Sequence, residues 1–314
     1  MNCSFCVRFA ATLIWVMWLI LPPADSSQSK ADEHTTLSLV SEKDAFVRGR
    51  ELWFGVRFEL QQGWHTYWVN PGDSGEAPRI EWHLPTGFQA SDIQWPYPLR
   101  LELGSLADYG YQDEVLLMAA IRPPEGLKKG ESAKVSAQVH YLVCHEVCIP
   151  GQKRLELSLP VMTSAEFSPA RSLFDVARQK LPRPLPRNWT ISATSTVDEF
   201  VVTLRADKLP RPVQFFPLHA EEIENAAPQN STDVSGGLSL HLKKSEHLSK
   251  PIARLEGVIV VASGDAYWVR IPVAEPINAR TRSDKSRREH EARPAVESGC
   301  DVLVDFFMLC GEGG

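Results

Sequence analysis

Two cysteines four positions apart, Cys144 and Cys148, stand in the segment Val139-His140-Tyr141-Leu142-Val143-Cys144-His145-Glu146-Val147-Cys148-Ile149-Pro150-Gly151. Thiols at this spacing can do three kinds of chemistry. They can close a structural disulfide. They can join His140 and His145 in a site for copper or zinc, built from two thiolates and two imidazoles. Or they can cycle between dithiol and disulfide, exchanging electrons with the thiols of another protein. Closing so short a loop gains little chain entropy, so the pair makes a poor staple. The spacing matches no recognised zinc pattern. The residues favour exchange and leave the other two readings open. There is no Cys-X-X-Cys at a helix start, hence no helix dipole to lower a thiol pKa. That predicts a passive relay attacked by a partner's thiolate.

Geometry sets conditions on the pair. In an extended strand, residues four apart are separated by about 13 Å. A disulfide needs Cα atoms within about 4.4–6.8 Å. A bond therefore requires His145 to Val147 to turn tightly, and Pro150-Gly151 suits a reversal into a strand at Leu155. Val135, Val139, Tyr141 and Val143 share one parity, whereas Cys144 shares the other with Gln138 and His140. A regular strand thus predicts that Cys144 faces away from the core, within a partner's reach.

The elements that must position this pair are strands. Leu52-Phe54-Val56-Phe58-Leu60 is apolar at every second residue, and Val135 to Val143 and Leu155 to Val161 repeat the pattern. Trp64–Val69, Arg79–Trp82 and Val115–Ile121 lie between them, separated by Pro and Gly turns. Strands resume at Phe200–Leu204, Val213–Phe216, Leu238–Leu242, Val258–Val261 and Tyr267–Ile271. The chain has 23 prolines and 19 glycines, which argues against long helices. The expected fold class is all-β: two β-sandwich, immunoglobulin-like domains with one short connecting helix. That helix is expected after Ser168 as cap and Pro169 at its first position, with Leu173, Phe174 and Ala177 on one face. Pro182 to Pro186 predicts a stiff extended connector. The polar stretch 221–237 is expected to be a mobile loop.

The ends of the chain differ from its body. Arg8 precedes an apolar run from Phe9 to Leu21, followed by Pro22-Pro23 and the small residues Ala24-Asp25-Ser26. This has the order of a cleaved secretory leader, and the run is short of the roughly 20 residues that span a bilayer. Export permits disulfides. Removing the leader would take Cys3 and Cys6 and leave Cys144, Cys148, Cys300 and Cys310. From Ala279 the chain mixes Arg and Lys with Asp and Glu, as solvated disordered tails do. The expected organisation is a signal peptide at 1–26, a redox β-sandwich at 28–162, a helix and Pro-rich linker at 163–187, a second β-domain at 188–278, and a disordered or aberrant tail at 279–314. Lys and Arg number 33 against 39 Asp and Glu, a net charge of −6 that argues against nucleic acid as the main partner.

Several motifs in order resemble one family. They are Gly63-Trp64-His65-Thr66-Tyr67-Trp68, Asn70-Pro71-Gly72-Asp73-Ser74-Gly75, Trp95-Pro96, Tyr109-Gly110-Tyr111, and Cys144-X3-Cys148-Ile149-Pro150-Gly151. Together they are similar to the N-terminal periplasmic region of the thiol:disulfide interchange protein DsbD family, especially its ScsB (suppressor of copper sensitivity) type. The resemblance covers about Thr35 to Val161 well and Asn188 to Asn278 more loosely. It implies an immunoglobulin-like sandwich whose cysteine pair passes electrons to periplasmic thioredoxin-fold proteins, without a cofactor. Cys144 and Cys148 match the two redox cysteines by their place after the long strand, at a narrower spacing than in DsbD. The DsbD domain shields its disulfide with a cap loop and flanking aromatics. Tyr67 and the stretch Tyr97 to Gly104, with Tyr97 and Leu101, are where the resemblance implies equivalents. Trp64, Tyr67, Trp68 and Trp95 equally suit core packing.

Full-length family members continue into a membrane domain that supplies electrons, so the resemblance implies a membrane electron-transfer protein of DsbD type as donor. This sequence shows no membrane-spanning segment and no nucleotide-binding motif. It reads either as a truncated or frame-shifted product or as a stand-alone domain, able to deliver only one pair of electrons before being recharged. Cytochrome c maturation and copper tolerance are the implied settings. Copper buffering by His140, Cys144, His145 and Cys148 is the alternative from another class. The second β-domain, with no cysteine and with His219, His241 and His247 scattered, is expected to be a spacer or docking platform without chemistry of its own.

Overall fold

The computed structural model describes residues 30–275, so the leader, the tail and Cys3, Cys6, Cys300 and Cys310 lie outside the described residues. After a short 3-10 turn at Lys30–Glu33 come the strands β1 (Thr35–Ser41), β2 (Phe46–Val47), β3 (Leu52–Leu60), β4 (His65–Gly72), β5 (Arg79–His83) and β6 (Gln89–Ala90). Next along the chain are β7 (Leu99–Leu103), β8 (Leu106–Gln112), β9 (Glu114–Arg122), β10 (Ser132–Cys144) and β11 (Cys148–Met162). The helix α1 (Arg171–Gln179) leads to β12 (Arg183–Pro184), β13 (Thr190–Ser195), β14 (Glu199–Arg205), β15 (Val213–Pro217), β16 (Asn230–Val234), β17 (Gly237–Lys243), β18 (Arg254–Val261) and β19 (Ala266–Ala274). The described chain is therefore mostly strand, with one α-helix.

The strands form three sheets. One has the order β1-β3-β9-β6. The second runs β2-β11-β10-β4-β8-β7, with β5 also paired to β10. These two share a core in which Val56, Phe58 and Leu117 of the first meet Trp68, Val139, Tyr141 and Val143 of the second. This shared core explains the alternation in β3 and β10, where every second side chain points inward. The helix starts later than the cap motif predicts. Ser168 Oγ accepts from the Ala170 N–H at 3.1 Å while donating to the Ser41 carbonyl, and α1 begins at Arg171. Phe174 and Ala177 pack on Leu116 and Met118 of β9, closing the outer face of the first sheet. Burying one such phenylalanine contributes about 1.5–3 kcal/mol.

After the connector, the strands form one eight-stranded sheet, in the order β15-β18-β19-β13-β14-β17-β16, with β12 paired to β19. A sandwich of two separate sheets was the expectation for this region. Instead the single sheet encloses a core including Phe200, Phe215, Leu240 and Ile259. The polar stretch 221–237, expected as a loop, carries β16, antiparallel to β17. Its residues Asn-Ser-Thr-Asp-Val have no apolar alternation to reveal it. The two regions pack against each other. Phe216, Val258 and Ala266 belong to the core of the first two sheets, and the Phe216 ring lies edge-on to Trp68 and Tyr109.

One buried acid in the second region predicts a pH effect. Glu222 is 5% exposed, and its Oε2 has no hydrogen-bond partner among the described residues. Burial first, and the Glu256 carboxylate second, push its carboxyl up to about 7. The folded state then holds a proton that the unfolded chain releases, so stability falls as pH rises from about 4.5 towards 7 and stays lost above. Glu222→Gln should stabilise the fold at pH 8 by about 1–3 kcal/mol and change little at pH 4.5. Urea unfolding at the two pH values checks it, and an equal effect at both would count against the burial argument.

Candidate functional site

β10 and β11 form one long antiparallel hairpin, and its last register pair is Cys144 opposite Cys148. The turn is made by His145 to Val147, closed by the His145 N–H donating to the Val147 carbonyl at 3.2 Å. This brings the two Cα atoms to 4.1 Å and the sulfurs into a disulfide. The tight turn expected from the spacing is present. The reversal expected at Pro150-Gly151 is not: both lie inside β11, opposite Leu142 and Tyr141. The chain has already reversed at 145–147, so no second turn is needed. Gly151 instead makes room for a ring, because a Cβ there would stand 2.3 Å from Tyr141 Cζ.

Cys144 belongs to no core cluster, in keeping with its parity, yet it is 1% exposed. The expectation that it would be reachable is therefore corrected. Its cover is the Tyr67 side chain from β4, the neighbouring strand of the same sheet, with Gly75 of the following loop against the tyrosine ring. Cys144 pairs with His65 at the start of β4, and the Tyr67 hydroxyl donates to Cys144 Sγ at 2.8 Å. The same hydroxyl is 3.5 Å from Cys148 Sγ. Cys148 is exposed, as are His145, Glu146 and Val147 of the turn. The pair is thus asymmetric, with residue Cys148 exposed at the turn and Cys144 buried under a phenol.

Beneath Tyr67 lies a buried polar cluster. Asp108 is fully buried and accepts from Ser74 N–H at 2.9 Å and Ser74 Oγ at 2.7 Å. His65 Nε2 stands 3.9 Å from Asp108 Oδ2 and has no hydrogen-bond partner among the described residues. Burial lowers the His65 pKa against the opposing pull of Asp108, so the ring is neutral at pH 7. Burial, and then the Asp108 carboxylate, push the Tyr67 hydroxyl up to about 12. Tyr67 therefore remains a hydrogen-bond donor at any physiological pH. Gly75, at φ +79°, crosses the ring so closely that a Cβ would lie 2.1 Å from Tyr67 Cζ.

The other expected residues divide. Leu101 lines a groove beside the pair, together with His65, Leu103, Gly104, Gln112 and His145. Tyr97 is elsewhere: its hydroxyl lies beside Gly264 of the second region, and its N–H bonds the Lys180 carbonyl. Only the end of the stretch Tyr97 to Gly104 therefore reaches the site, because β7 carries the chain away from Tyr97. His140 is paired with Gln152 and Arg79, four residues back along β10 from Cys144. The sequence did not single out His65, His34 or Trp64 as site residues. His34 stacks on Trp64 at 3.7 Å, and Trp64 lies 5.9 Å from the His145 ring, forming an aromatic rim beside the turn. Among the described residues, no group of three or more His, Cys, Asp or Glu is placed to hold a metal ion. The proposed copper set is not brought together.

Comparison with known proteins agrees with this geometry. Residues 36–160 match the family described as thiol:disulfide interchange protein DsbD, N-terminal. The N-terminal periplasmic domain of ScsB from Proteus mirabilis superposes with a TM-score of 0.60 at 15% identity, over 79% of this chain and 97% of that one. At that identity the likeness speaks for the fold. A protein of unknown function from Porphyromonas gingivalis W83 (TM-score 0.22, 11% identity, 77% and 99% covered) and the human desmocollin-1 ectodomain (0.20, 12%, 74% and 34%) are too distant to carry an argument. No curated protein matches significantly.

Proposed function

With residues 36–160 matching the N-terminal domain of the thiol:disulfide interchange protein DsbD, we propose that this chain is a periplasmic thiol–disulfide relay working through Cys144 and Cys148. The observation that carries the reading is the asymmetric disulfide: Cys148 exposed, Cys144 buried beneath the Tyr67 hydroxyl. A donor thiolate attacks Cys148 Sγ, the Cys144–Cys148 bond breaks, and a mixed disulfide forms. Cys144 leaves as a thiolate that accepts from Tyr67. The donor's second thiolate then attacks its own sulfur in the mixed disulfide and releases Cys148. The donor is oxidised to a disulfide and this chain is reduced by two electrons. Delivery to a partner's disulfide runs the same steps in reverse, starting from Cys148. The chain acts as an electron carrier between proteins, a thiol:disulfide oxidoreductase.

Thioredoxin-fold proteins of the periplasm are the acceptors in this reading, and a DsbD-type membrane protein is the donor. Exposed apolar side chains near the pair support a protein partner: Val147 in the turn is 64% exposed, and Leu103 beside the groove 37%. Protein disulfide reduction serving cytochrome c maturation or copper tolerance is the proposed setting. The proposed domain plan is a leader at 1–26, a redox domain at 28–162, a linker at 163–187, a second β-domain at 188–278 and a tail at 279–314. Two sheets facing each other across one core support an immunoglobulin-like sandwich for the redox domain.

Alkylation mass spectrometry across redox buffers tests the relay. The pair should be half reduced between about −270 and −120 mV, the range of thioredoxin-fold exchange partners. A pair that remains oxidised below about −300 mV would be a structural bond, and the proposal would fail.

A further inference from the structure

We infer that the second β-region is a working part of the disulfide site, with Asn225 as the positioning residue that holds the loop over Cys144. This deepens the relay reading and rests on it for its functional meaning, while its geometry stands independently. The Tyr67 ring is kept on Cys144 by the segment Asn70–Gly75, through the close crossing of Gly75 and the two Ser74 bonds to Asp108. That segment is pinned from the second region. Asn70, 3% exposed, donates from Nδ2 to the carbonyls of Pro217 and His219 at 2.8 and 3.2 Å, while its Oδ1 accepts from the Gly72 N–H.

Asn225 makes the second tie. It is 5% exposed and uses both ends of its amide. Its Nδ2 donates to Asp73 Oδ1 at 2.8 Å, and its Oδ1 accepts from the Tyr109 hydroxyl at 2.9 Å. Asp73 in turn accepts from the Ala107 N–H at 2.8 Å. Arg100 of β7 fixes the backbone here, donating to the carbonyls of Asn225 and Ala226 at 3.1 and 2.8 Å. One side chain from the second region thus ties the loop, at Asp73, to β8 at Tyr109, next to the Asp108 that anchors Ser74. Truncating it leaves the buried Tyr109 hydroxyl unpaired and releases the exposed Asp73 from its tie to the second region, which favours loop conformations in which the freed groups meet water. In those conformations Tyr67 leaves Cys144. The second region is then no spacer: its seating sets how well Cys144 is covered.

The test is the alkylation rate of each cysteine by iodoacetamide in full-length protein reduced with a phosphine, which needs no redox partner. Asn225→Ala should speed alkylation of Cys144 about ten-fold while leaving Cys148, the internal reference, unchanged. Thr203→Ala removes a hydrogen bond to Ser239 inside the same sheet, and should leave both rates unchanged. If Asn225→Ala does not fold, Asn225→Ser replaces it, with the same expectation, because serine cannot span both partners. A folded Asn225 variant with an unchanged Cys144-to-Cys148 rate ratio overturns the inference. So does an equal rise in the Thr203 variant. The relay reading itself fails on a separate observation, the wild-type redox titration.

Discussion

Cys144→Ala should accumulate a mixed disulfide with an oxidised thioredoxin-fold protein through Cys148, whereas Cys148→Ala should form none. The reason is access. Cys148 is exposed at the hairpin tip, and Cys144 is 1% exposed beneath Tyr67. Exchange rates depend on which sulfur an incoming thiolate or disulfide can approach. With Cys144 absent, Cys148 still attacks, but no neighbouring sulfur can resolve the adduct from this side. With Cys148 absent, the surviving thiol is covered, and exchange should fall roughly 1,000-fold or more. Non-reducing electrophoresis reads the adduct directly as a band at the summed mass. A stable adduct in Cys148→Ala, with none in Cys144→Ala, would reverse the roles assigned to the two sulfurs.

The second large effect belongs to Tyr67. Tyr67→Phe keeps the ring and removes the hydroxyl that donates to Cys144 Sγ. While the disulfide is closed, that bond is to a weak acceptor. Once Cys144 becomes a thiolate it is a bond to a charge, worth about 1.5–3 kcal/mol. Losing it should raise the Cys144 thiol pKa, because the thiolate loses its charge-assisted donor. A less acidic leaving group departs more slowly, so reduction of the pair by a small thiol should slow about ten-fold. Fluorescence-detected unfolding should change little, because the ring still fills its place. Tyr67→Ala separates donation from shielding. It should expose Cys144 to alkylation, which Tyr67→Phe should not. Equal pKa values in wild type and Tyr67→Phe would show that the hydroxyl is a cover rather than a donor.

The tyrosine is also where reading the residues in order stops being sufficient. Tyr67 and Cys144 are 77 positions apart, and their contact exists because the start of β4 pairs with the end of β10 at His65 and Cys144. The ordered motifs mark the tyrosine as a candidate by resemblance, without saying what its hydroxyl touches. They mark Tyr97 equally, and that residue lies at the boundary with the second region. Asn225 had no signal at all. It is a single asparagine in a polar stretch, and its partners Asp73 and Tyr109 are over 110 residues away.

What the amino-acid sequence determined by itself was local. Period-two alternation located β3, β10 and β11 because the pleat sends alternate side chains to opposite faces, a property of a few neighbouring residues. The four-residue spacing of Cys144 and Cys148 required a tight turn for any bond between them, and the pair's place after a long strand marked the candidate site. Parity stated which face Cys144 takes. Only the tertiary structure decided that Cys144 is covered, because exposure depends on what remote residues lie against it: the Tyr67 ring, the segment 70–75 that holds that ring and, behind that segment, the second region. It also decided that Cys148 is the open sulfur, that His140 stands apart from the pair, and that Phe216 joins the two regions through a common core. Burial and hydrogen-bond partnership are sums over the whole folded chain, and for this site the deciding contributions come from residues remote from the cysteines in sequence.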